Sequence, residues 1–281
     1  MAKRILLLIL LLLLLLSTLT SCASQSNTVK TLITSKKSFV KILTFVRVKP
    51  NECKDGKKCE IGPWLEYSTG SGSVVRHGGD RAVLTAAHVC QPQAYGYLPP
   101  GGVEVMLKAI DRQGRKHIVK VLKFNVRSDI CLLSVGELEA PGLKLSIKKP
   151  EYGEKVYNIA APLGISHKEM VPMLEGNFSG NSGGRAFYTI PTVGGSSGSA
   201  IINKNGHLVG MIHSVHRGFH HLAVSASYKD LWNFLKGMPN KNLVPSSNNE
   251  KSLDTGSKNS DFIHLHKVYL LDNKKRIFLI Q

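Results

Sequence analysis

The chain has 281 residues, of which 42% are hydrophobic, and its formal net charge at neutral pH is +18. This length suits one large all-β domain with appendages or two smaller domains. The composition is ordinary for a globular protein and favours a sizeable core over disorder. The basic residues are spread along the chain and no nucleic-acid-binding motif accompanies them, so we predict no nucleic-acid partner. Spread positive charge usually indicates a solvated surface, and the functional alternative is attraction to anionic lipid headgroups or acidic partners.

The N-terminus has the three parts of a secretory signal peptide. Two basic residues precede an unbroken apolar run, Ile5–Leu16, and small residues then lead to Cys22. The run is shorter than the about 20 apolar residues that a membrane-spanning helix needs. The last four residues of this stretch, LTSC, also resemble the bacterial lipobox, in which the cysteine becomes the lipidated first residue of the mature protein.

We therefore predict a signal peptide with a lipobox over residues 1–22, with Cys22 as the lipidated residue. The mature protein is then an exported lipoprotein held at a membrane, facing the periplasm or the cell exterior. The alternatives are a plain signal peptide or an uncleaved anchor, with Cys22 incidental.

The rest of the chain divides by composition. Residues 23–37 are rich in Ser, Thr, Lys and Asn and predict a tether. Residues 38–238 carry many short β-rich runs with turn signals between them, which indicate a β-sandwich or β-barrel domain that ends in one short amphipathic helix. Residues 239–260 have the composition of a linker. Residues 261–281 predict a hairpin around Asp272-Asn273, of unknown role, which is too small to be stable alone.

Within the domain, the string VLTAAHVC contains the end of a β-rich run, followed by two small residues directly before His88. Small residues at this point allow a histidine to be held at a crowded strand end with its imidazole facing a cleft. By itself, a histidine after a strand is more often a packing or surface residue.

A second candidate is Asp129, which opens the apolar run ICLLSV. A carboxylate at the edge of a core needs a partner, and His88 would be one. The carboxylate would then hold the imidazole in the tautomer that lets its other nitrogen take a proton. The alternative is a strand-capping aspartate.

The third candidate is Ser197, within the glycine-rich string GGSSGSA. A serine that attacks a carbonyl needs two backbone N–H groups aimed at the developing oxyanion, and a tight glycine-rich turn can present them. Gly195 and Ser197 would supply those groups. By itself, the string is better explained by an ordinary Gly/Ser turn between two strands.

Taken in order, these motifs resemble the chymotrypsin-like (trypsin-like) serine peptidases, closest to their bacterial, non-zymogen branch of Deg-type and glutamyl-endopeptidase-like relatives. The resemblance covers roughly residues 39–236. It rests on five strings, namely Gly70-Ser71-Gly72-Ser73, Thr85-Ala86-Ala87-His88, Asp129 with the following Leu132-Leu133, Gly195-Ser196-Ser197-Gly198-Ser199, and Asn205 to Met211.

The resemblance implies an all-β fold of two six-stranded antiparallel β-barrels with the active site in the cleft between them and a short C-terminal helix. It implies a serine endopeptidase that acts on polypeptides through His88, Asp129 and Ser197, with Gly195 and Ser197 as the oxyanion hole. The alternative is a catalytically weak or inactive binding module with the same fold. No cofactor is implied, and no cysteine or histidine spacing predicts a metal site.

A second string, GNSGG around Ser182, looks even more like the serine motif of the family. The run SAIINK and the turn Asn205-Gly206 follow Ser197, as the family requires, whereas AFYTIPTV follows Ser182. We therefore predict that Ser197 is the nucleophile and that Ser182 lies on a flexible loop beside the active site.

Substrate specificity is only hinted at. Pro191 stands where trypsin-like members carry an acidic specificity residue, so cleavage after Lys or Arg is not expected. The strings that match the substrate-binding strand and the pocket wall include His213, Ser214, Ala223 and Val224. The glutamyl endopeptidases use a pocket histidine near this position, which makes His213 a candidate for recognising an acidic side chain. The alternative is a histidine-rich surface loop.

Export would place the cysteines in an oxidising compartment. Cys53 and Cys59 flank a short polar loop that a disulfide could close. Cys90 and Cys131 each lie two residues after a triad candidate, and a triad brings those two segments together. A Cys90–Cys131 bridge and two buried free thiols are both consistent with this spacing.

Overall fold

A computed structural model describes residues 4–5, 27–48, 61–98, 102–168, 170–216 and 218–238, and the backbone of 262–264, 268–271 and 277–280. Four predicted features lie outside the described residues: Cys22 with its lipobox, the Cys53–Cys59 loop, linker 239–260 and the turn Asp272-Asn273. In the part of the chain that is described, no helix has the length and apolar character needed to cross a membrane.

The predicted tether is helical over its described part. Residues 27–36 form helix α1, and Ser35 on this helix is buried. The helix packs on the turn at Gly206, because a Cβ added to that glycine would lie 2.5 Å from Ser35 Oγ and 2.8 Å from Thr31 Cγ2. The segment before the β-domain is therefore docked on the domain.

The first sheet is antiparallel and follows the strand order β5-β4-β1-β2-β3-β7-β6, with β8 added to β2 in parallel. The two edge strands of this sheet, β5 and β6, are consecutive in the chain, and only Lys120 lies between them. One residue is too few for a hairpin turn. Among the described residues, these two strands have no hydrogen-bonded pairing with each other, so the sheet forms a half-barrel. The strands are β1 (Phe39–Val48), β2 (Leu65–His77), β3 (Asp80–Ala86), β4 (Val103–Ile110), β5 (Lys116–Val119), β6 (Val121–Asn125), β7 (Ile130–Leu133) and β8 (Leu143–Lys144).

The second sheet closes into a six-stranded barrel, because β12 pairs with both β9 and β13. Tyr188 lies in its apolar core, and its hydroxyl donates a hydrogen bond of 3.1 Å to the Val209 carbonyl, which satisfies the one polar atom of that side chain. The predicted all-β, two-barrel fold is confirmed, with the difference that only this barrel is closed by strand pairing. The strands are β9 (Lys155–Ile159), β10 (Met173–Ser182), β11 (Arg185–Tyr188), β12 (Ala200–Asn203), β13 (Leu208–His216) and β14 (Phe219–Ala226).

Two further helices complete the domain. The short helix α2 (Ala87–Cys90) follows β3 directly. Helix α3 (Tyr228–Lys236) is the predicted amphipathic helix, which begins at the N-cap Ser227, whose side chain accepts a hydrogen bond from the Asp230 N–H. It buries Leu231, Phe234 and Leu235, which share one helical face.

Three short strands follow in the C-terminal segment. Strand β15 (Phe262–His264) pairs antiparallel with β13, and β16 (Val268–Leu271) pairs antiparallel with β17 (Ile277–Ile280). The β16–β17 pair corresponds to the hairpin expected from the sequence. The sequence did not predict that β15 would join the second sheet.

Candidate functional site

The structure brings His88 and Asp129 into direct contact. His88 lies on α2, at the end of β3, and Asp129 lies between β6 and β7; their exposed fractions are 2% and 3%. The imidazole Nδ1 lies 2.7 Å from Asp129 Oδ2, and because a carboxylate only accepts, Nδ1 carries the proton. The backbone N–H of His88 also donates to Asp129 Oδ1, at 2.9 Å. In the neutral imidazole the other ring nitrogen, Nε2, is then the proton acceptor.

The backbone holds Asp129 in this position. Its φ is 53°, in the left-handed region that aspartate visits more readily than most residues, and its carbonyl accepts a hydrogen bond of 3.1 Å from the Ala87 N–H. Main-chain and side-chain contacts therefore both connect the Asp129 turn to the start of α2.

Tyr95, which the sequence analysis did not single out, is a further partner of Asp129. It lies in a 3-10 helix (Pro92–Tyr95), and its hydroxyl donates to Asp129 Oδ1 at 2.7 Å. Burial first, and then the neighbouring Asp129 carboxylate, raise the pKa of Tyr95 above its ordinary value, so the phenol stays protonated and remains a donor at neutral pH. No motif marks this residue, because the contact depends on how the 3-10 helix folds back over the Asp129 turn.

Ser197 is fully buried, in the loop between β11 and β12. Its carbonyl accepts a hydrogen bond of 2.7 Å from the Ser71 N–H, and the next residue, Gly198, donates from its N–H to the Ile212 carbonyl, also at 2.7 Å. A Cβ on Gly198 would lie 2.1 Å from the Ser71 carbonyl and 2.2 Å from Thr85 Oγ1. The serine loop is thus packed against the end of β3, immediately before the segment that carries His88.

The same loop turns sharply at Gly195, whose φ is 92°. Its carbonyl accepts from Ser71 Oγ at 2.8 Å, and a Cβ there would lie 2.6 Å from the Ala161 carbonyl. Only glycine fits this conformation in this space. Within the described residues the Gly195 N–H donates to no backbone carbonyl, whereas its carbonyl is directed into the protein.

Ser182 lies on an exposed hairpin rather than in an irregular loop. It ends β10, and the turn to β11 is formed by Gly183 (φ 55°) and Gly184 (φ 73°). A two-residue hairpin turn with positive φ at both positions favours glycine. The GNSGG string is therefore explained by turn geometry.

The predicted specificity residues lie on or beside β13 and β14. Pro191 is exposed, and Ala223 and Val224 are buried on β14. Val224 pairs with Ser214, across a bulge at His213.

His213 does not extend outward from β13. Its side chain is buried, its Nδ1 lies 3.0 Å from Ser214 Oγ and 3.8 Å from Asp129 Oδ2, and its carbonyl accepts from Ser197 Oγ at 3.4 Å. The bulge directs the imidazole toward Asp129. The recognition of an acidic substrate side chain by His213 stays a prediction.

Cys90 and Cys131 are joined by a disulfide, with sulfur atoms 2.14 Å apart and Cα atoms 6.6 Å apart. Of the two alternatives left open by the sequence, the structure therefore has the bridge. It connects α2, which carries His88, to β7, which follows Asp129.

Comparisons with known proteins agree with this architecture. A trypsin-like peptidase domain matches residues 70–211, which is half of the chain. No curated protein sequence matches significantly.

Several solved structures share the fold. The serine endoprotease from Yersinia pestis is 16% identical, with a TM-score of 0.53 over 75% of this chain and 66% of that one. The Rv3671c protease from M. tuberculosis, in its active form, is 17% identical, with a TM-score of 0.52 over 73% of this chain and 82% of that one. The HtrA-type protease AlgW, solved with a decapeptide, is 16% identical, with a TM-score of 0.55 over 74% of this chain and 66% of that one. At this identity the likeness concerns the fold, and the domain match identifies the family. The chain belongs to the trypsin-like peptidase family.

Proposed function

We propose that the protein hydrolyses peptide bonds with Ser197 as nucleophile, His88 as general base and acid, and Asp129 as the group that orients His88. The observation that carries the proposal is the buried contact of 2.7 Å between His88 Nδ1 and Asp129 Oδ2, next to a rigidly held serine loop. A histidine whose Nδ1–H is bound to a carboxylate presents Nε2 as a proton acceptor.

In the proposed reaction Ser197 Oγ attacks the carbonyl carbon of the scissile peptide while His88 Nε2 takes the hydroxyl proton. The negative charge that develops on the carbonyl oxygen is stabilised by the N–H groups of Gly195 and Ser197. His88 then returns the proton to the leaving amine, which leaves an acyl-enzyme. Water, activated by the same imidazole, hydrolyses the ester and restores Ser197.

The experiment for this proposal combines a protein substrate with an active-site label. The full chain should hydrolyse unfolded casein, and a fluorophosphonate probe should label it at a single serine, identified as Ser197 by peptide mapping. A folded protein that neither cleaves casein nor takes the label would support the alternative, a binding module with a peptidase fold.

We also propose that the enzyme is exported and held at a membrane by lipid on Cys22. The support is the short apolar run before LTSC, together with the docking of α1 on the domain at Gly206. This docking leaves residues 23–26 between Cys22 and the described part of α1, so the domain would lie close to the membrane surface. Each buried methylene of an acyl chain contributes about 0.8 kcal/mol to membrane binding.

The anchor is tested by expression in a bacterium with labelled palmitate. We expect the wild type to fractionate with membranes and to incorporate the label, and Cys22→Ser to lose the label. Ser21→Ala, which keeps a small residue before the cysteine, is the matched control and should be lipidated. A soluble, unlabelled wild type with an N-terminus other than residue 22 would contradict the proposal.

A further inference from the structure

Next to the serine loop, one edge of β13 is no longer paired with β12. Strand β12 pairs with β13 only as far as Ala200 and Met211, whereas β13 continues to His216. The first residues past this point contact the loop, because the Ile212 carbonyl accepts from the Gly198 N–H at 2.7 Å and the His213 carbonyl accepts from Ser197 Oγ at 3.4 Å. The part of β13 that β12 leaves unpaired therefore starts beside Ser197 and extends away from it.

A strand edge next to a nucleophile is a template for an extended peptide. Main-chain hydrogen bonds can add such a peptide as a further strand regardless of its sequence. The other edge of this part of β13 is covered by β14, which pairs with it from Ile212 to His216. A substrate that adds to β13 must therefore do so on the β12 side.

Strand β15, in the C-terminal segment, lies on this edge. Residues Phe262–His264 form β15, which pairs antiparallel with β13 in the register Ser214↔His264, Val215↔Ile263 and His216↔Phe262. The direction of β15 follows from this register, since its residue numbers rise as those of β13 fall toward His213. The strand thus runs along the open edge toward Ser197.

We propose that β15 occupies the edge of β13 on which a peptide substrate docks, so that the C-terminal segment is a built-in competitor of the substrate. This inference rests on the proposed function, because the competition matters only if Ser197 is the nucleophile. A strand of three residues forms few hydrogen bonds, so it is displaced by a substrate that binds the same edge. It competes nevertheless because a linked segment has an effective concentration of about millimolar.

This arrangement predicts a specific kinetic signature. A competitor that is part of the chain raises the apparent KM for protein substrates by a factor of one plus the ratio of covered to open edge. It leaves kcat unchanged, because saturating substrate displaces it. A small fluorophosphonate needs only the serine and the oxyanion hole, so its labelling of Ser197 reports the catalytic groups separately.

The test uses the full chain with the double substitution Phe262→Pro and Ile263→Pro. Proline lacks the N–H that strand pairing uses, and two consecutive prolines remove a donor whichever residue faces β13. The matched control is Phe278→Pro with Leu279→Pro, which replaces a phenylalanine and an aliphatic residue with proline in β17. Among the described strands, β17 pairs with β16 and not with β13. Thermal melting checks that each variant is folded.

We expect the β15 variant to have a KM for casein about tenfold below the wild-type value with the same kcat, and the control to match the wild type. A synthetic peptide with the sequence of residues 260–266, SDFIHLH, should inhibit the β15 variant competitively, and the same peptide with two prolines at Phe262 and Ile263 should not. If the variant is folded and labels normally but has the wild-type KM, or if the peptide does not inhibit it, the competition is refuted while the proposed function stands. If no form of the protein labels or cleaves casein, the proposed function itself has failed.

Discussion

Replacing Ser197 with alanine is expected to abolish hydrolysis while leaving the fold intact. Loss of a triad nucleophile lowers the rate by several orders of magnitude. The hydroxyl donates a hydrogen bond of 3.4 Å to the His213 carbonyl, and the loop is held by main-chain contacts that alanine retains. The measurements are casein hydrolysis, fluorophosphonate labelling and thermal melting.

The matched control is Ser182→Ala, which changes the serine of the competing GNSGG string. Ser182 is exposed next to the Gly183–Gly184 turn, so this variant should retain most of the activity and all of the labelling at Ser197. Equal losses in the two variants, or an unchanged rate for Ser197→Ala, would show that the nucleophile is assigned to the wrong residue.

The two serine strings also illustrate which features the sequence makes predictable. Both place serine among glycines, and local composition cannot separate them. What separates them is the following chain, because β12 and its turn come after Ser197 whereas a hairpin turn comes directly after Ser182. The fold could be predicted for the same reason, since short strands and turns are encoded by neighbouring residues.

Features that depend on long-range packing could not be predicted. The Tyr95 hydroxyl reaches Asp129 across the fold, and the His213 imidazole points toward the same carboxylate because a β-bulge turns it inward. The pairing of β15 with β13 requires a segment beyond residue 238 to return to the domain. None of these contacts has a periodicity or a spacing in the sequence.

The second large effect is expected for Asp129→Asn. The carboxylate accepts at both oxygens, with Oδ1 taking the His88 N–H and the Tyr95 hydroxyl, and Oδ2 taking His88 Nδ1–H. An asparagine keeps its carbonyl oxygen opposite the two donors at Oδ1 and thereby places its NH2 group against Nδ1. That NH2 needs an acceptor, so the proton of the imidazole moves to Nε2. In this tautomer His88 cannot take the proton of Ser197.

We therefore expect kcat to fall by roughly 10⁴ for Asp129→Asn, with little change in KM or in melting temperature, because the shape and most hydrogen bonds of the site are retained. Tyr95→Phe is the control. It distinguishes the role of the carboxylate in orienting His88 from the effect of losing another hydrogen bond that the carboxylate accepts. It removes one donor to Oδ1 but leaves the Nδ1–Oδ2 contact of 2.7 Å, so its kcat should fall by about tenfold at most. If Tyr95→Phe were as damaging as Asp129→Asn, or if Asp129→Asn kept its activity, the carboxylate would not act by setting the tautomer of His88.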